Sequence, residues 1–223
     1  MRRRSVLMKV IIIAVLMFTF AGQCFAGVNP FTDINEVPGK DKIIALQEQG
    51  VIKGTGNGLF SPNAPITAAQ GIQLLVNAFD LNIDNIRFIK EPKASDYFKK
   101  ANDDAWYADA LIIVSFSGLD LPADLDPNAK WTKEEFTHYL VMIMEEQGSL
   151  PMINLVPADV ADGDQLDAVY SGSIQRALLY KLVQLDADGC FRPQDNMTRG
   201  DAAVQVFNAL EYLKAHPAPT VSN

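Results

Sequence analysis

The sequence predicts an all-α protein built from three copies of one helix-loop-helix unit. A Pro, four residues and a Thr recur as Pro62 to Thr67, Pro127 to Thr132 and Pro193 to Thr198. Behind each Thr, the positions five, eight, nine and twelve residues on are apolar in eleven of twelve cases, a spacing that follows one face of an amphipathic helix. These positions are Ile72, Leu75, Val76, Phe79, Thr137, Leu140, Val141, Met144, Ala203, Val206, Phe207 and Leu210. One register in three places indicates a repeat.

The N-terminal segment predicts export. Three arginines and a lysine precede an apolar run from Val10 to Phe20, and a Cys-Phe-Ala sequence ends at Ala26. This order is typical of a secretory signal peptide. The run is shorter than the about 20 apolar residues that a transmembrane helix needs, and Gln23 disfavours a lipoprotein signal. We expect residues 1–26 to be a signal peptide, with the mature chain starting at Gly27.

The mature chain is acidic. Cleavage leaves 15 Lys and Arg against 27 Asp and Glu, so the formal charge falls from −8 to −12. That balance argues against a nucleic-acid partner. No second apolar span follows, so we expect no membrane insertion after cleavage. Only Cys190 remains, and an intrachain disulfide is therefore excluded.

An Asp spacing extends the repeat upstream. Asp33, Asp96 and Asp159 follow one another at intervals of 63 residues, and a second helix-like stretch lies between each Asp and the next Pro. We therefore predict copies at 27–88, 89–150 and 151–215, with a disordered tail at 216–223. A unit of about 60 residues buries too little surface to fold alone. Three copies are expected to share one core.

Each signature Thr is predicted to cap the helix that follows. The Thr hydroxyl would accept a hydrogen bond from the backbone amide three residues further on. The side chain of that residue would in turn accept from the backbone amide of the Thr, which makes a capping box. The pairs are Thr67 with Gln70, Thr132 with Glu135, and Thr198 with Asp201. Trp131 and Phe136 also fit a hydrophobic staple, whereas Ile66 has only Gly71 opposite it.

The residue after each Thr suggests an anion site. Arg199 and Lys133 stand there, although a cation in the first helical turn costs roughly 0.3–1 kcal/mol against the macrodipole. Free amides at a helix N-terminus attract anions, and a guanidinium adds a bidentate partner for a carboxylate. The alternative is a solvated surface cation. Ala68 holds this position in the first copy and supplies no charge.

The three signatures resemble the Ile-Thr-Arg-Ala-Glu motif of the S-layer homology family. They read Ile66-Thr-Ala-Ala-Gln70, Trp131-Thr-Lys-Glu-Glu135 and Met197-Thr-Arg-Gly-Asp201. The first copy also resembles the rest of the family pattern in Phe31-Thr-Asp33, Gly50-Val-Ile-Lys-Gly54 and Phe60-Ser-Pro62. The resemblance spans roughly residues 30 to 215. It implies a pseudo-threefold helical module with one helix of each repeat in a central bundle.

The resemblance also implies ligand contacts. In the family, the signature Arg lines grooves between repeats and contacts acidic sugars, typically a pyruvate ketal, of secondary cell-wall polysaccharide. Arg199 matches that role, and Lys133 would supply a point charge. Trp106 stands near the place of the family's His-Trp pair, where it would stack on a sugar or belong to the core. Asp33, Asp96 and Asp159 resemble Asp residues that border the grooves in the family. The alternative is that these three residues have turn or cap roles.

Catalytic and metal-binding patterns are weak in this chain. The two histidines, His138 and His216, lack a neighbouring nucleophile pattern. The acidic clusters from Asp159 to Asp167 and from Asp186 to Asp195 do not satisfy the EF-hand spacing. We therefore expect a protein that is not an enzyme and that has no cofactor and no metal.

The leading hypothesis is an exported bacterial cell-wall or cell-surface protein. It would bind an anionic secondary cell-wall polysaccharide, for example a pyruvylated one, or a peptidoglycan-linked polymer, non-covalently in the grooves between repeats. One alternative is a diverged scaffold that contacts other envelope proteins or assembles in an S-layer. Another is an enzyme of wall metabolism whose active site the sequence does not reveal.

Overall fold

The computed structural model describes residues 31–150 and 156–218, so the predicted signal peptide and residues 219–223 of the predicted tail lie outside it. The predicted all-α class is confirmed, because these residues form seven α-helices, one 3-10 turn at Gly163–Gln165 and no strand. The helices are α1 Lys40–Glu48, α2 Ala68–Ala78, α3 Ala94–Tyr97, α4 Ala108–Ser115, α5 Lys133–Gly148, α6 Ala168–Leu179 and α7 Arg199–Ala215. None of the described helices is both long and apolar enough to cross a membrane.

The helices that follow the signatures, α2, α5 and α7, contact one another and form the central bundle. Each begins at the residue after its Thr, whose hydroxyl accepts from the amide three residues on. The apolar face packs inward as the register predicts, with Leu75, Leu140 and Val206 fully buried. Phe79, Phe207 and Leu210 are partly buried against the same core. The one polar member, Thr137, is also buried and donates to Gln205 Oε1 at 2.9 Å.

Two of the three predicted capping boxes are complete. In α2 and α5 the side chains of Gln70 and Glu135 accept from the amides of their Thr residues. In α7, Asp201 Oδ2 instead accepts from the Thr198 hydroxyl at 2.8 Å. Since Asp is one methylene shorter than Glu or Gln, its carboxylate stops at the hydroxyl, and the third copy departs from the predicted box.

The outer helices pack across copies. Helix α4 packs on α2, α6 packs on α5, and α1 packs on α7, so each outer helix covers a central helix of a different predicted copy. The contact of α1 with α7 joins the first copy to the third and closes the ring. This exchange explains physically why one copy cannot bury its own apolar face.

A ring of backbone hydrogen bonds lies where the three predicted copies meet. Ile66 N donates to Met197 O at 2.9 Å, Met197 N to Trp131 O at 2.9 Å, and Trp131 N to Ile66 O at 3.2 Å. All three residues are buried. The residue before each signature Thr therefore has the same partner arrangement in every copy.

The first amides of the central helices are paired, which makes the predicted free amides wrong. Ala68 N donates to Ala129 O at 2.8 Å, Lys133 N to Asp195 O at 2.9 Å, and Arg199 N to Ala64 O at 2.9 Å. The next amide of each helix donates to the carbonyl of a signature Pro in a neighbouring copy. An anion at these helix ends would have to displace those carbonyls, so attraction must come from side chains.

Gly71 makes room for a ring from another copy. A Cβ atom added at Gly71 would lie 2.5 Å from Cε3 and Cζ3 of Trp131. The Trp131 ring also stacks on Tyr139, with 5.2 Å between ring centroids, and lies 6.3 Å from Phe136. Gly71 breaks the staple pattern in the first copy, and the space that its missing side chain leaves is filled by Trp131 of the second copy.

The even Asp spacing gives wrong equivalences. Thr32, Lys99 and Ala161 donate in the same way to the carbonyls of Gly58, Ala123 and Gly189. The residues that follow these three donors are Asp33, Lys100 and Asp162, not Asp33, Asp96 and Asp159. Asp96 accepts from Lys93 N at the start of α3, and Asp159 is exposed. Loops of unequal length explain the difference.

Candidate ligand-binding grooves

Two grooves in the described part of the chain contain residues of different predicted copies. The Arg199 groove, of about 640 Å³, is lined chiefly by Lys53, Phe60, Gln70, Gln73, Asn77, Trp106 and Arg199. The Lys133 groove, of about 410 Å³, is lined chiefly by Pro38, Lys42, Lys133, Phe191, Asp201 and Asn208. Each groove thus contains one signature cation and one phenylalanine from the loop before a signature Pro.

The two grooves have related walls. Asn77 Nδ2 donates to Val51 O at 3.3 Å in the first, and Asn208 Nδ2 donates to Leu182 O at 3.0 Å in the second. The two asparagines stand ten residues beyond Thr67 and Thr198. These contacts tie each central helix to the end of an outer helix and fix one side of the groove.

Arg199 reaches from the third copy into the first. Its Nε donates to Phe60 O at 2.8 Å, its Nη2 donates to Lys53 O at 3.1 Å, and its guanidinium lies 4.8 Å from the centroid of the Phe60 ring. Burial lowers the pKa of Arg199 and Asp33 opposes that shift. The group stays charged at neutral pH because an Arg side chain is effectively always protonated in a protein. Two carbonyls and a ring therefore hold a charged fork at the groove wall.

Asp33 stands behind this wall rather than in the groove. Its two carboxylate oxygens accept from Phe60 N at 2.8 Å and from Ser61 N at 2.7 Å. Ser61 has a φ of 58°, in the left-handed region that favours glycine. The carboxylate holds this turn, and with it the carbonyl of Phe60 that accepts from Arg199.

The pKa of Asp33 gives a prediction about acid stability. Burial opposes ionisation, but the amides of Phe60 and Ser61 and the charge of Arg199 outweigh it, so the pKa lies below its ordinary value of 3.8. A depressed folded-state pKa means that the carboxylate stabilises the fold above that ordinary value and loses its effect as pH falls further. We expect urea unfolding to show a steeper loss of stability below about pH 4 in the wild type than in Asp33→Asn. Equal slopes would contradict this role.

Trp106 lies beside the signature cation although 93 residues separate it from Arg199 in the sequence. Its side chain is 63% exposed and lines the Arg199 groove, so a core role is excluded. The neighbouring Tyr107 is buried and contacts the indole edge to face, with 5.5 Å between centroids. A braced, exposed indole offers a flat apolar surface next to a cation.

The Lys133 groove has a different character. Lys133 Nζ lies 3.7 Å from Asp195 Oδ2, and Lys42 Nζ donates to Asn208 Oδ1 at 2.7 Å. Pro38 and Gly39 line this groove before α1, where Trp106 lines the other groove before α4. Lys133 thus has a carboxylate partner and Lys42 an amide partner, and no indole is among the described residues that line this groove.

Aromatic side chains occupy the third interface. Tyr139, seven residues beyond Thr132, holds the place that Leu74 has in α2 and Gln205 in α7. It is buried, stacks on Trp131 and contacts His138, which also contacts Tyr170. Burial, together with Tyr170 and Glu135, raises the pKa of Tyr139. Sequence reasoning found no cation here but missed the rings that replace it.

The hydrogen-bonded pair of His138 and Ser173 is not accessible to a substrate. His138 Nδ1 lies 2.8 Å from Ser173 Oγ, which is the geometry of a nucleophile and its base. Ser173 is only 3% exposed, however, and its hydroxyl also accepts from Arg176. Within 31–150 and 156–218, no group of three or more His, Cys, Asp or Glu is placed to hold a metal.

Several groove residues were not predicted. Gln73 Nε2 donates to Asn77 Oδ1 at 2.9 Å, and the backbone carbonyl of Lys53 accepts from Arg199 Nη2. The available signal was the polar stripe of Gln70, Gln73 and Asn77 along α2, three and seven residues apart, which marks one helix face. That stripe lies beside the apolar face and lines the groove.

Two segments of the chain match a known protein family. Residues 30–70 and 161–203 match the family model of the S-layer homology domain. The chain is 26% identical over 200 residues to the surface-layer 125 kDa protein of Lysinibacillus sphaericus, covering 86% of this chain and 16% of that protein. It is 24% identical over 217 residues to an endoglucanase of Bacillus sp. (strain KSM-635), covering 92% and 22% of the two chains.

An amylopullulanase of Thermoanaerobacterium thermosulfurigenes is 23% identical over 184 residues, covering 81% of this chain and 9% of the enzyme. The chain therefore spans less than a quarter of the length of these curated relatives. The similarity to the two enzymes covers only a small share of each enzyme. The second predicted copy lies between the two matched segments.

Proposed function

We propose that this chain is a three-copy S-layer homology module, with copies at 27–88, 89–150 and 151–215, that attaches non-covalently to an anionic cell-wall polymer at the bacterial cell surface. The observation that carries the proposal is the Arg199 groove. It combines a charged guanidinium, an exposed indole and amide side chains in one cavity of about 640 Å³. Such a set suits a sugar that carries a carboxylate.

The roles follow from the geometry. The guanidinium of Arg199 would donate to the carboxylate of an acidic sugar, and the face of Trp106 would stack on the sugar ring. Gln70, Gln73 and Asn77 would bond hydroxyl and acetamido groups. Lys133 would act as the weaker, second cation. One charge-assisted hydrogen-bond pair contributes about 1.5–3 kcal/mol, so useful affinity would need several contacts along one polymer.

Binding to wall sacculi tests the proposal. We expect residues 27–223 to co-sediment with purified sacculi, and Arg199→Ala to weaken that binding by about tenfold or more because the charged donor is lost. Arg199→Lys should bind at an intermediate level, since it keeps the charge without the bidentate geometry. Walls stripped of acid-labile polysaccharide should bind neither form.

The matched control is Arg87→Ala, which removes one exposed Arg away from both grooves. It should bind as the wild type does. Circular dichroism of each variant separates lost binding from lost folding, because Arg199 also bonds two carbonyls of the fold. Binding that survives both stripping and Arg199→Ala would overturn the proposal.

A second candidate function is a scaffold that contacts another envelope protein. An exposed apolar segment favours it, since Ile86 is 39% exposed, Phe88 37% and Ile89 fully exposed. Phe88 rests edge to face on Phe116, with 5.3 Å between centroids. Under this hypothesis Ile89→Ser would abolish retention on the envelope, whereas Arg199→Ala would leave it unchanged.

A further inference from the structure

The residue that receives the first amide of each central helix differs among the copies. Ala64, Ala129 and Asp195 occupy this position, because their carbonyls accept from Arg199, Ala68 and Lys133. Two copies thus place a methyl group beside the signature position, and one places a carboxylate there.

The carboxylate of Asp195 lies beside the signature cation of the Lys133 groove. Asp195 Oδ2 lies 3.7 Å from Lys133 Nζ, with the Lys side chain 25% exposed and the Asp side chain 60% exposed. In the Arg199 groove the residue at the same place is Ala64, so no carboxylate stands there. Arg199 interacts electrostatically with Asp33, but that carboxylate accepts from two amides behind the groove wall. Asp195 instead places an exposed carboxylate beside Lys133 itself.

We propose that Asp195 determines which groove accepts an anionic sugar, by acting as an internal counter-anion for Lys133. The inference rests on the proposed function and deepens it. The wild-type chain then has one strong anion site, the Arg199 groove. The Lys133 groove accepts neutral sugar units of the same polymer in preference to charged ones.

The physical reason is competition and repulsion at short range. A ligand carboxylate at Lys133 must compete with that of Asp195, whose backbone carbonyl accepts from Lys133 N and so keeps the residue next to Lys133. The two anions then lie within a few Å of each other, well inside the Debye length of about 8 Å at physiological salt. Screening therefore relieves little of the repulsion.

Site-resolved titration tests this assignment. The probe is a methyl hexopyranoside that carries a 4,6-pyruvate ketal, added to residues 27–223 labelled with nitrogen-15 at low salt. Amide signals of Lys53 and Gln73 report on the Arg199 groove, and those of Val183 and Gln184 report on the Lys133 groove. The uncharged methyl hexopyranoside is the control ligand.

We expect the wild type to respond at the Arg199 groove and to respond weakly or not at all at the other. Asp195→Ala should raise the affinity of the Lys133 groove for the ketal probe by about fivefold, which is the upper range for removal of an exposed ion-pair partner. Adding Lys133→Ala to that variant should remove the gain. Asp195→Ala is a mild change, because Ala stands at this position in both other copies.

The reciprocal variant is Ala64→Asp, which places a carboxylate beside Arg199. It should lower the affinity of the Arg199 groove for the ketal probe by about fivefold and leave the affinity of the Lys133 groove unchanged. An effect of opposite sign in the two variants is not expected from a structural role of Asp195, because neither loss of folding nor loosening tightens a site.

Each outcome is decisive. An unresponsive Lys133 groove in Asp195→Ala, or equal affinity of both grooves in the wild type, overturns the inference while the response at Arg199 leaves the proposed function standing. No response at either groove in any variant overturns both.

Discussion

Trp131→Ala should lower the free energy of unfolding by about 3–5 kcal/mol, because it removes a large ring from the closed centre of the bundle. The side chain is 2% exposed and contacts Tyr139, Phe136 and Gly71. Gly71 cannot fill the cavity, since it has no side chain. Domains of this kind are stable by only about 5–15 kcal/mol, so the loss is a large share of the total.

The measurement is urea unfolding of residues 27–223 followed by circular dichroism, with Trp106→Ala as the matched control. Both variants remove one tryptophan, but Trp106 is 63% exposed, so its loss should cost less than about 1 kcal/mol. If the two variants lost similar stability, Trp131 would not hold the copies together.

The helices of the bundle were predictable because their signals are local. A Thr with Gln or Glu three residues on, followed by a 3.6-residue apolar period, defines where α2 and α5 begin. The same pattern in α7 predicted the start of that helix, although the shorter Asp201 changed the bond that it makes. Local backbone chemistry was enough for these elements.

Contacts between copies were not predictable from one copy. Nothing near Ala68 or Arg199 in the sequence indicates that their amides are paired with Ala129 and Ala64. Gly71 illustrates the same limit, because its partner Trp131 lies 60 residues away and has no counterpart of equal size in the other signatures. Such pairings depend on the ring closing in three dimensions.

The candidate site was predictable in its parts but not as a whole. The signature identified Arg199 as the chief cation and Lys133 as a weaker point charge without bidentate geometry. The structure adds a second difference through Ala64 and Asp195, each more than 60 residues from its cation in the sequence. The sequence identified Trp106 as a candidate contact but did not indicate which groove it lines. Its place beside Arg199 follows from the packing of α4 on α2.

Asp162→Ala should lower the free energy of unfolding by about 2–4 kcal/mol, because two amides in the loop before α7 lose their acceptor. Asp162 is 6% exposed and accepts from Phe191 N at 2.8 Å and from Arg192 N at 2.7 Å. Arg192 has a φ of 58°, so the released turn would also relax away from a strained conformation. The same carboxylate geometry at Asp33 shows that this contact is a repeated feature of the fold.

The control is Asp159→Ala, three residues earlier, which removes the same charge from an exposed position and should change stability by less than about 0.5 kcal/mol. Asp162→Asn should fall between the two, since its one carbonyl oxygen can still accept an amide. The three variants decide between two alignments of the third copy. Under the equal 63-residue spacing, Asp159 is the equivalent of Asp33. The hydrogen bonds instead make Asp162 the equivalent. Both residues carry the same charge, so only the loss of the hydrogen bonds distinguishes the two alignments. A large loss in Asp159→Ala with none in Asp162→Ala would restore the even spacing and contradict the equivalence of Asp162 with Asp33.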